Sequence, residues 1–282
     1  MGLATLLAVG PRVARAADPA VAAAFDRIEN GSGGRLGVAI DDTATGQHYG
    51  HRANERFPMC STAKVLSCGA ILQRVDAGHD NLNRRIRFSA KDLVTYSPVT
   101  RNRVGGDGMA LAELCQAALT VSDNTAANLI VASLGGPSAV TAFARSLGDP
   151  VTRLDRIETA LNEAQPGDVR DTTTPVAMAA NLRMLVTGDS LSRASRDQFA
   201  AWLVANQTGG AKLRAGLPED WRVGDKTGSG GFGTSNDIAV IWPPDRKPLI
   251  VCVYLTDTKS GSDSSDRTIA AVARTVRDSL PA

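Results

Sequence analysis

The chain has 282 residues, 43% of them hydrophobic and 4% aromatic, enough to bury one large core or two closely joined ones. Lysine plus arginine number 31 against 29 acids, a near balance that excludes the electrostatic footprint of a nucleic-acid or anionic-membrane binder. Three histidines without H-E-x-x-H or H-x-H spacing, and four cysteines without C-x-x-C spacing, argue against a zinc site.

Met1 to Val9 is apolar apart from Thr5 and leads through Gly10-Pro11 to Ala14-Arg15-Ala16-Ala17. An apolar run before an A-x-A site predicts a signal peptide cut after Ala16, truncated because the basic n-region is missing, and hence a periplasmic or secreted protein. No stretch reaches the roughly 18 apolar residues of a membrane span. Leu36–Ile40 reads as a strand, and Gly46 precedes a second at Gln47–Tyr49, together a hairpin. From Ser61 the apolar residues Val65, Leu66, Ile71, Leu72 and Val75 recur at helical spacing until Gly78. Helical rhythm returns from Leu111 to Leu134, interrupted by Ser122-Asp123-Asn124. Thr152 to Thr174 has charges and turn residues but little periodicity, and a stretch that long is usually a functional loop. Helices are predicted at Pro175–Val186 and around Gln198–Val204, strands at Ile238–Trp242 and Leu249–Leu255, and a last helix from about Arg267 to Leu280. Strands at both ends with helices between them predict an α+β fold: one antiparallel sheet built from the N- and C-terminal segments, flanked by helices, with an all-helical domain inserted. Residues 17–282 would form one catalytic unit, 17–53 and 205–282 its α/β part and 54–204 its helical part.

Ser61-Thr62-Ala63-Lys64 is an S-x-x-K motif at a helix start. Residues three apart share a helix face, so the Lys64 amine can approach the Ser61 hydroxyl. That hydroxyl is a poor nucleophile until a neighbour takes its proton, and a lysine can take it only if burial or positive charge lowers its pKa. Backbone N–H groups at the helix start also face incoming negative charge. Alone, the motif reads as helix capping. Its weight comes from Ser122-Asp123-Asn124, three polar residues in a helical pattern, and from Lys226-Thr227-Gly228 just before the C-terminal strand pair.

The three motifs, each present once and in this order, resemble the signature of class A serine β-lactamases and penicillin-binding proteins. The resemblance to class A β-lactamases extends to Tyr96-Ser97-Pro98-Val99-Thr100 at the edge of the family's cleft and to Glu158-Thr159-Ala160-Leu161-Asn162, an E-x-x-L-N element. Pro166-Gly167-Asp168 and Arg170 to Pro175 match the rest of its omega loop, and the match runs from about Ala17 to the C-terminus. It implies hydrolysis of penicillins, and of cephalosporins, through an acyl-enzyme on Ser61, with antibiotic resistance as the result. Lys64 would belong to the proton-transfer network, Ser122 would relay a proton to the departing lactam nitrogen, and Glu158 with Asn162 would orient the hydrolytic water. Tyr96, Asn124, Lys226, Thr227, Gly228 and Ser229 would bind substrate, and the backbone N–H groups of Ser61 and Ser229 would form the oxyanion hole. Arg156 and Asp171 would pair to close the omega loop.

The resemblance further implies a Cys68–Cys115 disulfide in an exported protein. Cys60 would stay free, because the family's other bridge needs a cysteine where this chain has Gly230. Two points depart from common members: Thr159 replaces a proline that follows the loop glutamate in a cis peptide, leaving that geometry open, and either Lys212 or Arg267 could supplement Lys226. No cofactor or metal is implied; the expected partner is the small-molecule β-lactam, and the expected state a monomer. A penicillin-binding peptidase shares S-x-x-K and K-T-G but must leave its penicilloyl ester standing, whereas Glu158 supplies a base to hydrolyse it. A covalent β-lactam sensor needs a membrane partner segment, for which there is no apolar run. Gly228-Ser229-Gly230-Gly231-Phe232-Gly233 fits G-x-G-x-x-G but precedes a strand instead of opening a helix, so it is not a dinucleotide site.

Overall fold

The computed structural model describes residues 19–280; the expected signal segment, residues 1–16, lies outside the described residues. In chain order the elements are α1 (Pro19–Ser32), β1 (Arg35–Asp42), β2 (His48–His51), β3 (Phe57–Pro58), α2 (Lys64–Asp76), β4 (Arg85–Ile86), β5 (Met109–Ala110), α3 (Leu111–Thr120) and α4 (Asn124–Leu134). There follow α5 (Pro137–Ser146), β6 (Thr172–Thr173), α6 (Pro175–Val186), α7 (Arg193–Val204), β7 (Arg222–Ser229), β8 (Ser235–Trp242), β9 (Leu249–Thr256) and α8 (Ser262–Ser279).

Five strands form an antiparallel sheet in the order β2-β1-β9-β8-β7, so N- and C-terminal segments do build one sheet and the α+β expectation holds. β9 reads Leu-Ile-Val-Cys-Val-Tyr-Leu-Thr and is buried throughout, an unbroken apolar run instead of an alternating one, because both faces of the sheet are covered. Its period of two divides two cores. Leu249, Val251, Val253 and Leu255 pack with α1 and α8 residues such as Phe25, Ile269 and Val272. Ile250, Cys252 and Tyr254 face the other way and join Leu66, Ile71, Leu119, Ile130 and Leu182 of the central helices.

α2 is the axis of that second core, with every residue from Lys64 to Leu72 buried. Gly69 lets it approach α5 and α6: a Cβ there would stand 2.9 Å from Leu185 and 3.2 Å from Phe143. The expected interruption at Ser122-Asp123-Asn124 separates α3 from α4, and Asp123 caps α4 by accepting from Ala126 N–H at 2.8 Å. α4 ends at Gly135, left-handed at φ 105°. α6 starts at Pro175 behind the cap Thr174.

Several boundaries differ from the sequence reading, α7 and β8 starting earlier than predicted, at Arg193 and Ser235. Lys226-Thr227-Gly228 precedes the strand pair as expected but lies in a further strand, β7, which the sequence hides because its polar residues, Asp225 among them, are buried and bonded inside the protein. Ser61 occupies a 3₁₀ turn, Cys60–Ala63, and the α-helix proper begins at Lys64. The last helix starts at Ser262, five residues early, on a polar turn.

Candidate active site

The 3₁₀ turn holding Ser61 is pressed against β7. A side chain at Gly228 would meet the Met59 carbonyl at 2.8 Å, so glycine is what lets the strand run beside the turn. Asn236, on the neighbouring strand β8, donates through Nδ2 to the carbonyls of Pro58 (2.9 Å) and Met59 (3.1 Å) and ties the turn to the sheet. The result is a cleft of 330 Å³ lined by Ser61, Tyr96, Ser122, Asn124, Asn162 and Ser229, with Thr208, Lys212, Thr227 and Gly228, within the range for a small ligand.

Behind Ser61 the charged groups interlock. Ser61 Oγ donates to Glu158 Oε1 at 3.1 Å, and Lys64 Nζ lies 3.0 Å from the same oxygen. Lys64 also donates to the Ser122 carbonyl (2.8 Å), Ser122 Oγ (3.1 Å) and Asn124 Oδ1 (2.7 Å). Lys226 Nζ reaches Ser122 Oγ from the opposite side at 3.1 Å and donates to the Thr227 carbonyl at 2.8 Å. A single hydroxyl, that of Ser122, therefore sits between two ammonium groups. Asn162 Nδ2 donates to Glu158 Oε2 at 2.5 Å. Tyr96, at 57% exposure, stands at the rim.

Burial governs the electrostatics. Lys64 and Glu158 are 3% and 4% exposed and Lys226 is fully enclosed. Desolvation lowers the Lys64 pKa against the opposing pull of the Glu158 charge. Desolvation, aided by the Lys64 charge, lowers that of Lys226 to about 7. Cys60, beside the nucleophile, has its thiol pKa pushed up by burial and by the charges of Glu158 and Asp171, so it is a poor thiolate.

The loop carrying Glu158 is held at both ends. The Glu158–Thr159 peptide is cis, which answers the question left by the missing proline. Asn128 clamps Glu158 from α4, its Nδ2 donating to the Glu158 carbonyl and its Oδ1 accepting from the Glu158 N–H, both at 2.8 Å. Arg156 Nε donates to Asp171 Oδ2 at 2.6 Å, and Asp171 Oδ1 accepts the N–H groups of Asp155 (2.7 Å) and Arg156 (2.9 Å), so the expected pair forms with a buried acid. Asn128, Asn236 and Thr208, whose hydroxyl is 2.6 Å from that of Thr227, went unread in the sequence. Only the spacing of Asn128, four residues and so one helical turn after Asn124, offered a signal.

Of the two candidates to supplement Lys226, Lys212 lines the cleft, bonded to Ser235 and to Asp266 Oδ1 at 2.5 Å, whereas Arg267 is exposed on α8 and not part of the lining. Cys68 and Cys115 are buried neighbours, Cys68 Sγ 3.9 Å from the Cys115 carbonyl, and are unbridged thiols in this structure. A Cβ on Gly230 would approach Cys60 Sγ to 2.7 Å, so position 230 does adjoin Cys60. Among the described residues no cluster of His, Cys, Asp and Glu could hold a metal.

A serine hydroxyl joined to a buried lysine and a buried carboxylate, set between a mixed sheet-and-helix layer and a helical core, defines a serine hydrolase without a catalytic histidine. The model of the β-lactamase enzyme family matches residues 20–280. The chain is 52% identical to β-lactamase AST-1 of Nocardia asteroides over 91% of this chain and 82% of that one, and 49% identical to β-lactamase CTX-M-8 of Citrobacter amalonaticus over 98% and 94%. An ancestral class A β-lactamase superposes with a TM-score of 0.91 at 61% identity, covering 92% of this chain and 100% of its own. The chain belongs to the class A β-lactamase family.

Proposed function

We propose that this enzyme hydrolyses the cyclic amide of penicillins and cephalosporins through an ester on Ser61, and so confers resistance to them. The observation that carries this reading is the convergence of Ser61 Oγ, Lys64 Nζ and Asn162 on the single carboxylate of Glu158.

The Ser61 oxygen attacks the lactam carbonyl carbon while its proton passes into the Lys64–Glu158 pair, 3.1 Å from the hydroxyl at Glu158. The carbonyl oxygen becomes an anion facing the backbone N–H groups of Ser61 and Ser229, donors fixed before the charge develops. The C–N bond then breaks. The departing nitrogen takes the Ser122 proton, which Lys64 or Lys226, both 3.1 Å from that oxygen, replaces. Lys226, Thr227 and Lys212 hold the substrate carboxylate, Asn124 its amide side chain, and Tyr96 walls the rim. Water attacks the ester after losing a proton to Glu158, with Asn162 positioning both, and the proton returns to Ser61 as the product leaves. A penicillin-binding peptidase does not complete this second half-reaction on its penicilloyl ester. Ser229 beside Gly230 supports activity on cephalosporins, through one added hydroxyl near the substrate carboxylate.

On the same reading the protein is exported after cleavage near Ala16, works as a monomer, and closes the Cys68–Cys115 bridge in an oxidising compartment. The α/β part comprises 17–53 and 205–282 and the helical part 54–204, with the cleft at their seam. Ser61→Ala tests the nucleophile: penicillin consumption should fall by at least about a thousandfold with the circular-dichroism spectrum unchanged. Turnover near the wild-type rate would refute the assignment.

A further inference from the structure

A second cleft, larger than the β-lactam site, shares no residue with it. It measures 1080 Å³ and opens between the edge strand β2, residues 53–55 and helix α6. Its origin lies in small side chains. On the sheet face towards α6, Ala39 pairs with Gly50 and Asp41 with His48, and α6 presents Ala179 and Ala180 to them. α6 packs over β1 and β9, towards the sheet centre, so nothing among the described residues fills the space under the β2 edge. Leu147, Val176 and Met184 complete an apolar wall.

The two arginines of the cleft are paired, but one buried carboxylate oxygen is not. Arg52 is spent on Glu29 (2.7 Å) and Glu55 (3.1 Å), and Arg183 Nη1 donates to Asp41 Oδ2 at 3.1 Å. Asp41 Oδ1 is buried and accepts no hydrogen bond from any described residue. The Asp41 side chain is 7% exposed, and the His48 ring, a third exposed and making no hydrogen bond, stands 3.5 Å from Oδ1. A carboxylate oxygen out of water without a donor is unfavourable until one arrives. We propose that this cleft is a second small-molecule site, for an organic cation with a compact apolar body whose ammonium N–H displaces the His48 ring and donates to Asp41 Oδ1. The apolar body lies against Ala39, Ala180 and Met184, and the ammonium shares the Asp41 carboxylate with Arg183.

Phenethylamine, an aromatic ring on a short ammonium arm, is the probe, titrated into the full 15N-labelled protein while amide shifts are recorded. Saturable shifts are expected at residues 39–41, 48–55 and 176–188. The anion 3-phenylpropanoate, of similar size, should produce none there. Asp41→Asn should weaken the amine about tenfold, the effect of losing a charge-assisted hydrogen bond. Since that change touches a buried ion pair, Ala180→Leu serves as the second variant: it fills the cleft from an exposed helix position, should abolish the shifts, and should leave penicillin turnover within about twofold. Shifts confined to the Ser61 cleft, equal binding of amine and anion, or undiminished binding in Ala180→Leu would each overturn the proposal.

Discussion

Lys226 is enclosed on all sides within a strand, close enough to Lys64 that the two ammonium groups share the Ser122 hydroxyl. Its pKa of about 7 is low because burial and the Lys64 charge both disfavour its protonated form. The sign follows: below pH 7 Lys226 is charged and attracts the carboxylate of a β-lactam, and above it that attraction is lost. kcat/KM for benzylpenicillin should therefore fall as pH rises past 7, approaching about one decade per pH unit, while kcat, which reports the substrate complex, should fall only at higher pH. Lys226→Arg should remove the fall, since a guanidinium stays charged throughout. A wild-type kcat/KM that is level from pH 6 to 9 would contradict this role. At this scale the sequence was highly informative about groups that do chemistry, because S-x-x-K, S-D-N, K-T-G and E-x-x-L-N are local patterns. It was silent about groups that position them: Asn128 is a single amide among apolar residues and Asn236 one polar residue in the run Thr234 to Asp237, and only the fold shows that one grips Glu158 and the other the Ser61 turn.

At the scale of elements, the omega loop is anchored by an acid instead of by regular structure. Asp171 is buried, left-handed at φ 56°, and accepts two backbone N–H groups and the Arg156 guanidinium. Asp171→Ala strands those three donors, at a cost of about 2–4 kcal/mol. Because the loop holds Glu158, the loss should appear in kcat more than in the acylation rate. Thermal unfolding and a stopped-flow acylation trace measure the two effects; unchanged Tm and kcat would show that the loop does not depend on this anchor. Elements were legible where their residues are apolar and periodic, as in α2, β8 and β9. They were hidden in β7, where Asp225 and Lys226 are buried polar residues between Gly224 and Gly228, while α1 went unread although Val21 and Phe25 stand one helical turn apart on its buried face.

At the scale of the molecule, the sheet is the partition between two cores. Its inner face contributes Ile238, Val240, Ile250 and Tyr254 to the same apolar cluster as the central helices. The helical part therefore has no complete core without the sheet, and the intact protein should unfold in urea in one transition, with fluorescence and circular dichroism coincident. Two separated transitions would mean that the parts are stable independently. This dependence was not legible in the sequence, which shows strands at both ends but not that one face of β9 belongs to the helices' core.

The central claim is that Glu158 serves hydrolysis of the ester more absolutely than its formation. Attack by Ser61 has Lys64 and Ser122 as further proton routes, while the water that must cleave the ester has Glu158 and Asn162. Losing about a thousandfold in deacylation corresponds to roughly 4 kcal/mol, a reasonable cost for removing both base and water anchor. The direct measurement is intact-protein mass of Glu158→Ala after mixing with penicillin. The account predicts an adduct with the mass of the whole drug, persisting on Ser61 and missing from the Glu158→Ala, Ser61→Ala double variant; steady turnover by Glu158→Ala at close to the wild-type rate, with no adduct, would contradict it.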